Sequence, residues 1–221
     1  MAVLLSGKAL FYCVPKTACS AISGYLISNC AGQWVPPNDI FNGAQRPQVE
    51  MKHTTPAQLR YYLNGDPPTA VRFCVTRNPY DWVASVYFYA RHSFNAASNG
   101  TRVWWVDANP DFYKDSIRGS FREFVGKHFS KPGKSVCARW AIDCDLVLKY
   151  EQLPGNLIAL LESLGFETDQ PLPSVNVTPG RPNDLLSVYD EESAQLVARA
   201  FEDDFVRFSY SHLQHEAALD A

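Results

Sequence analysis

Strand-like and helix-like segments alternate along this chain, which places it in the α/β class, as a single domain with a central, mainly parallel sheet flanked by helices. Two observations carry that assignment. Apolar runs of strand length, at 9–14, 71–76 and 146–150, are each followed by a stretch with apolar residues at helical spacing. Turn-forming clusters such as Asn64-Gly65-Asp66-Pro67-Pro68 punctuate the pattern. At 221 residues, 46% hydrophobic and 13% aromatic, the chain is long and apolar enough to bury a full core.

The elements follow in order. After the strand at 9–14, Ile22, Tyr25, Leu26 and Asn29 fall on one face and predict a helix over 20–29, stopping near Gly32. Residues 33–50 are proline-rich without periodicity and read as loop. Thr54-Thr55-Pro56 opens a short helix to about residue 63, a hydroxyl cap followed by proline in the first turn. The strand at 71–76 leads into a helix over 79–91, with Asn78 as cap and Pro79 as first residue. Residues 93–116 read as a long irregular insertion holding Trp104-Trp105. Short helices near 120–129 and 135–142, a strand at 146–150, and a helix over 154–164 ended by Gly165 come next. A proline-rich loop at 167–184, an amphipathic helix over 191–204 and a polar tail at 211–221 complete the chain.

Charge and composition exclude several functions. A net charge of −3 argues against a general nucleic-acid binder. No run approaches the roughly 20 apolar residues of a membrane span. Met1-Ala2-Val3-Leu4-Leu5 is too short for a signal-peptide core, so a cytoplasmic location is expected. Six cysteines, with no Cys-x-x-Cys and no histidine at zinc spacing, read as buried thiols, and no metal site is expected.

Chemistry concentrates at two strand-to-helix turns. Helix-start N–H groups are unpaired and carry partial positive charge, so such turns hold anions. The first is Cys13-Val14-Pro15-Lys16-Thr17-Ala18-Cys19-Ser20, with a cation and hydroxyls around the helix start. It lacks both glycines of the ATP-binding G-x-x-x-x-G-K-[ST] loop. The second is Arg77-Asn78-Pro79, with Ser85 close to two helical turns beyond Asn78 and therefore on the same side. An Arg fork and a Ser hydroxyl can converge on one phosphate there, or Arg77 can pair with Asp81 and Ser85 fit a tight helix contact. Together the turns point to one ligand with anionic groups at both ends.

The combination resembles the PAPS-dependent sulfotransferases, in particular the carbohydrate-type sulfotransferase family 2. There a first strand runs into a Pro-Lys-Thr-Gly-type loop, and a second into Arg-[Asp/Asn]-Pro followed by Ser. Met51-Lys52-His53-Thr54-Thr55-Pro56-Ala57-Gln58-Leu59-Arg60 is similar to a Lys-His segment found between them. Lys149-Tyr150-Glu151-Gln152-Leu153 and Asp204-Phe205-Val206-Arg207-Phe208-Ser209-Tyr210 look like two later family elements. The order agrees over most of residues 9–210. Ala18 and Cys19 depart from the pattern, replacing the usual Gly and Gly/Thr of the loop.

The resemblance implies a P-loop-like sulfotransferase fold and transfer of a sulfuryl group from PAPS to a carbohydrate or small-metabolite hydroxyl, without metal. It implies Lys16 at the bridging oxygen, with Thr17, Ala18, Cys19 and Ser20 around the 5′-phosphosulfate. Arg77 and Ser85 would take the 3′-phosphate, with Arg181 in a late basic loop closing over it. His53 is the candidate base; the alternative is a helix-start histidine with a structural role. Trp104-Trp105 either stacks on a flat acceptor or anchors its loop. Two other classes stay open. A small-molecule kinase would need an acidic Mg²⁺ site, with Asp143 and Asp145 the nearest candidates. A non-catalytic nucleotide- or partner-binding module is the other.

Overall fold

The computed structural model describes residues 2–41, 47–99, 104–173, 178–182 and 184–213, apart from the side chains of Trp104 and Trp105. The expected tail therefore lies largely outside the described residues. The chain divides into two compact units, 1–77 with 137–177, and 78–136 with 178–221.

The first unit holds the whole sheet. β1 (Ala2–Leu5) and β2 (Ala9–Tyr12) form an antiparallel hairpin with Leu5 opposite Ala9. The turn needs positive φ at Ser6 (44°) and Gly7 (73°), the backbone twist that suits a tight hairpin. β3 (Gln33–Val35) adds antiparallel to β1. β4 (Val71–Thr76) runs parallel to β2, and β5 (Leu146–Lys149) parallel to β4, giving the order β3-β1-β2-β4-β5. The sheet is thus mixed: parallel in the β2-β4-β5 region, antiparallel where β1 and β3 extend it. These two strands are absent from the sequence expectation. β3 lies in the segment read as loop, because its three residues form a strand only by pairing with β1.

α1 (Cys19–Asn29) and α8 (Gly155–Ser163) pack over one face of this sheet. Ile22, Leu26, Leu157 and Leu161 there join Ala9, Phe11, Phe73 and Val75 in a fully buried core, with the Phe11 and Phe73 rings 5.1 Å apart. The alternate side chains, Leu10, Tyr12 and Cys74, are buried too, as a parallel sheet covered on both faces requires. Tyr12 Oη donates to Asp143 at 2.7 Å, and that carboxylate also pairs with Arg60 and Arg72. α2 (Pro56–Leu63) begins with Thr55 in a capping box with Gln58, as its Thr-Pro opening predicts. α7 (Ala138–Ala141) places Trp140 Nε1 3.0 Å from the Thr54 carbonyl. All six cysteines lie in this unit as thiols, five of them buried.

The described part of the second unit is helical: α3 (Pro79–Ser98), α4 (Trp104–Ala108), α5 (Pro110–Arg118), α6 (Phe121–His128), α9 (Glu191–Ala200) and α10 (Glu202–Arg207). The expected irregular insertion at 93–116 is corrected here. α3 continues past Arg91 to Ser98, because Tyr87, Ala90 and Ser93 keep one buried face, and α4 and α5 follow. Arg91 Nη1 bonds both Tyr87 Oη (2.7 Å) and the Ser116 carbonyl (3.0 Å), tying α3 to α5. The single helix expected at 191–204 breaks at Phe201 into α9 and α10. Rings of Tyr80, Tyr87, Phe121, Phe124, Tyr189 and Phe205 make the core of this unit. Asp204, buried in α10, accepts from Ser135 Oγ (2.6 Å) and Val136 N (2.7 Å). That explains the aspartate of the Asp-Phe-x-x-Phe-x-Tyr ending as a fastening of the 135–136 segment.

Candidate active site

The parallel strands end together. Tyr12 of β2 sits opposite Cys74, and Thr76 of β4 opposite Lys149 of β5. The next residues after each strand therefore emerge along one edge: the Cys13–Ser20 turn, Arg77, and Tyr150. Ligands of α/β sheets bind outside such carboxyl ends.

The turn after β2 is built from strained backbone. Lys16 (φ 63°) and Ala18 (φ 62°) both adopt left-handed conformations, each costing roughly 1–2 kcal/mol for a residue with a Cβ. Alternation into the left-handed region turns successive N–H groups toward one side, a concavity that suits anions. Ala18 is the N-cap of α1 and provides no capping side chain. The conformation that the missing glycines would favour is therefore reached without them. Thr17 is fully buried and its hydroxyl donates to the Val14 carbonyl at 3.0 Å, closing the turn. Cys19 points into the core and burial pushes its thiol pKa up, so only its main chain is suited to a ligand.

Three further groups meet this turn. Arg77, 6% exposed, donates from Nη1 to the Lys16 carbonyl at 2.8 Å. Its guanidinium lies 3.9 Å from the centre of the Tyr150 ring, in cation–π contact. Lys52 Nζ is 3.0 Å from Ser20 Oγ in the first turn of α1. His53 Nδ1 is 2.8 Å from the Cys13 carbonyl. A carbonyl only accepts, so Nδ1 carries the hydrogen, and in neutral His53 the lone pair sits on Nε2. Burial pushes the His53 pKa down to about 4; the Cys13 bond opposes this and Lys52 reinforces it. His53 is accordingly neutral at pH 7, the form a base requires. Thr54 and Thr76, which follow His53 and precede Arg77 in the chain, are fully buried with hydroxyls that have no hydrogen-bond partner among the described residues, an arrangement uncommon in finished cores.

Lys16, Thr17, Ala18, Cys19, Ser20, His53 and Arg77 thus share one unit. Ser85 and Arg181 belong to the other. Ser85 is buried in α3, and Arg181 pairs with Asp81, the residue weighed above as a partner for Arg77. Lys52 and Tyr150 are the residues that sequence reasoning left without a role. Lys52 adjoins His53, which was a usable signal; Tyr150 is legible only from strand register. The acidic pair proposed for Mg²⁺ is otherwise engaged: Asp143 by Tyr12, Arg60 and Arg72, and Asp145 by the Arg72 N–H. Among the described residues no His, Cys, Asp or Glu group could hold a metal ion.

A cation-bearing turn after the first parallel strand and an arginine after the next are one half of the comparison. The other half is sequence: a model of the sulfotransferase family, its family 2 branch, matches residues 6–211. The chain belongs to the sulfotransferase family. Its α/β sheet and flanking helices agree with that fold, and membership gives transferase chemistry as the class of activity. No curated protein and no solved structure matches this sulfotransferase-family chain. Among the described residues no helix is long and apolar enough to cross a membrane.

Proposed function

We propose that this protein transfers a sulfuryl group from PAPS to an acceptor hydroxyl of a carbohydrate or small metabolite, releasing adenosine 3′,5′-bisphosphate (PAP). The observation that carries the reading is the meeting of Lys16, Arg77 and a neutral His53 around one left-handed turn at the sheet's carboxyl edge. The residues fit the donor's chemistry: N–H groups of the left-handed turn and the cations Lys16, Lys52 and Arg77 for its anionic oxygens. PAPS, when bound, supplies the sulfuryl group and the leaving bisphosphate.

The chain's residues position reactants and stabilise moving charge. Lys16 neutralises negative charge gathering on the leaving 5′-phosphate oxygen, with Ser20 and the turn's N–H groups around that phosphate. Lys52, at Ser20, adds a second cation. His53 Nε2 takes the acceptor's proton, while the Cys13 carbonyl holds the ring in the tautomer that leaves Nε2 open. The family resemblance assigns Arg77 and Ser85 to the 3′-phosphate. Arg181 has the same assignment, and using it means sharing or breaking its pair with Asp81.

A thermal-shift titration with PAP against ADP, both without metal, tests the reading. A ligand at 100 times its Kd stabilises by about 2.7 kcal/mol, so a rise with PAP and none with ADP is expected. No response to PAP would remove the PAPS assignment.

A further inference from the structure

Arg77 leaves β4 one residue past Thr76, and Tyr150 leaves β5 one residue past Lys149, so parallel register sets the two side by side. The ring then lies under the guanidinium at 3.9 Å. Tyr150 is itself seated, because it packs against the buried core of the sheet. On the other side, Arg77 Nη1 holds the carbonyl of Lys16, one of the two left-handed residues of the turn. Core, Tyr150, Arg77 and the Lys16 main chain thus form a continuous stack. A planar guanidinium on a ring keeps its fork in a fixed plane, which a flexible ammonium would not.

We infer that Tyr150 is a positioning residue for donor recognition, acting through Arg77 to fix both the 3′-phosphate fork and the strained turn that receives the 5′ end. This rests on the proposed PAPS reading for its ligand, though the hold on the turn does not. The two ends of the nucleotide are then recognised in concert: an arginine freed from the ring loses its aim at the 3′-phosphate and its grip on Lys16 together.

Hydrogen exchange and nucleotide binding separate these claims, using wild type, Tyr150→Phe, Tyr150→Leu and Arg77→Ala. Leucine keeps apolar packing, so the variant stays folded, but it has no π-face. Without ligand, peptides covering 14–20 are expected to exchange at least fivefold faster in Tyr150→Leu and Arg77→Ala, with the β1–β2 hairpin unchanged. Tyr150→Phe, which keeps the ring, is expected to restore slow exchange. In titrations, Tyr150→Leu should raise the Kd for PAP tenfold or more and also weaken adenosine 5′-phosphate, which lacks the 3′ group, while Tyr150→Phe stays within about twofold of wild type. Unchanged exchange and PAP affinity in Tyr150→Leu would overturn the inference. So would a Tyr150→Phe defect equal to that of leucine, because the hydroxyl and not the ring would then matter. If wild type ignores PAP while the exchange pattern holds, the PAPS reading fails and the hold on the turn stands.

Discussion

Acidification tests the state of His53 directly. An unfolded histidine titrates near 6.5, whereas burial brings His53 down to about 4. Between these values the unfolded chain binds the extra proton and the folded one does not, so stability is intact above pH 6.5 and falls as pH drops toward 4. At pH 4.5 the unfolded imidazole is almost wholly charged and the folded one mostly neutral. Integration from pH 7 to 4.5 gives a loss of about 2 kcal/mol from this one group. The assay is the urea midpoint across that range for wild type and for His53→Asn, whose amide does not titrate and still offers a donor to the Cys13 carbonyl. Carboxylates affect both proteins alike, so the difference isolates His53. The variant should gain on wild type by about 2 kcal/mol between pH 7 and 4.5. Parallel pH curves for the two proteins would refute a partly buried, neutral His53.

Lys16→Ala should cut turnover roughly 10²–10³-fold, the scale of losing one group that stabilises developing charge, with the melting temperature nearly unchanged; full activity would take Lys16 out of the chemistry. Asp204→Ala removes the carboxylate that Ser135 Oγ and Val136 N donate to and should cost roughly 3 kcal/mol by denaturant titration, whereas a loss below 1 kcal/mol would mean water replaces the carboxylate. Ala18→Gly relieves a left-handed backbone at φ 62° and should raise stability by about 0.5–1 kcal/mol; a lower melting temperature would show that the turn tolerates alanine without strain.

How far the sequence could be read depended on whether the signal was local. Thr55-Pro56 and Asn78-Pro79 announce α2 and α3 because capping is settled within a few residues, and both caps are observed. β3 is invisible locally: Gln33 is exposed, its neighbours are half-buried, and only pairing with β1 makes a strand. α3 outruns its expected end because polar His92 and Asn95 interrupt the apolar pattern, while the small residues Ala90 and Ser93 keep the buried face going. Lys16, His53 and Arg77 are legible as candidates because each adjoins a strand end or a cap, and the fold brings them to one edge. The contact of Tyr150 with Arg77 carries no local signal, because the two lie 73 positions apart and only the pairing of Thr76 with Lys149 reveals it.

The distribution of thiols makes the molecule its own reporter. Every cysteine belongs to the unit that contains the sheet, and the other unit has none. Cys13 closes β2, Cys19 and Cys30 bracket α1, and Cys74 lies in β4. A bulky alkylating reagent reaches such groups only when the surrounding segment opens, so labelling rates resolved by mass spectrometry would clock local breathing of α1 separately from that of β4. Heating would then distinguish the order in which the two units melt: early trapping of Cys74 marks the sheet giving way first, and silent thiols during a loss of helical signal mark the helical unit.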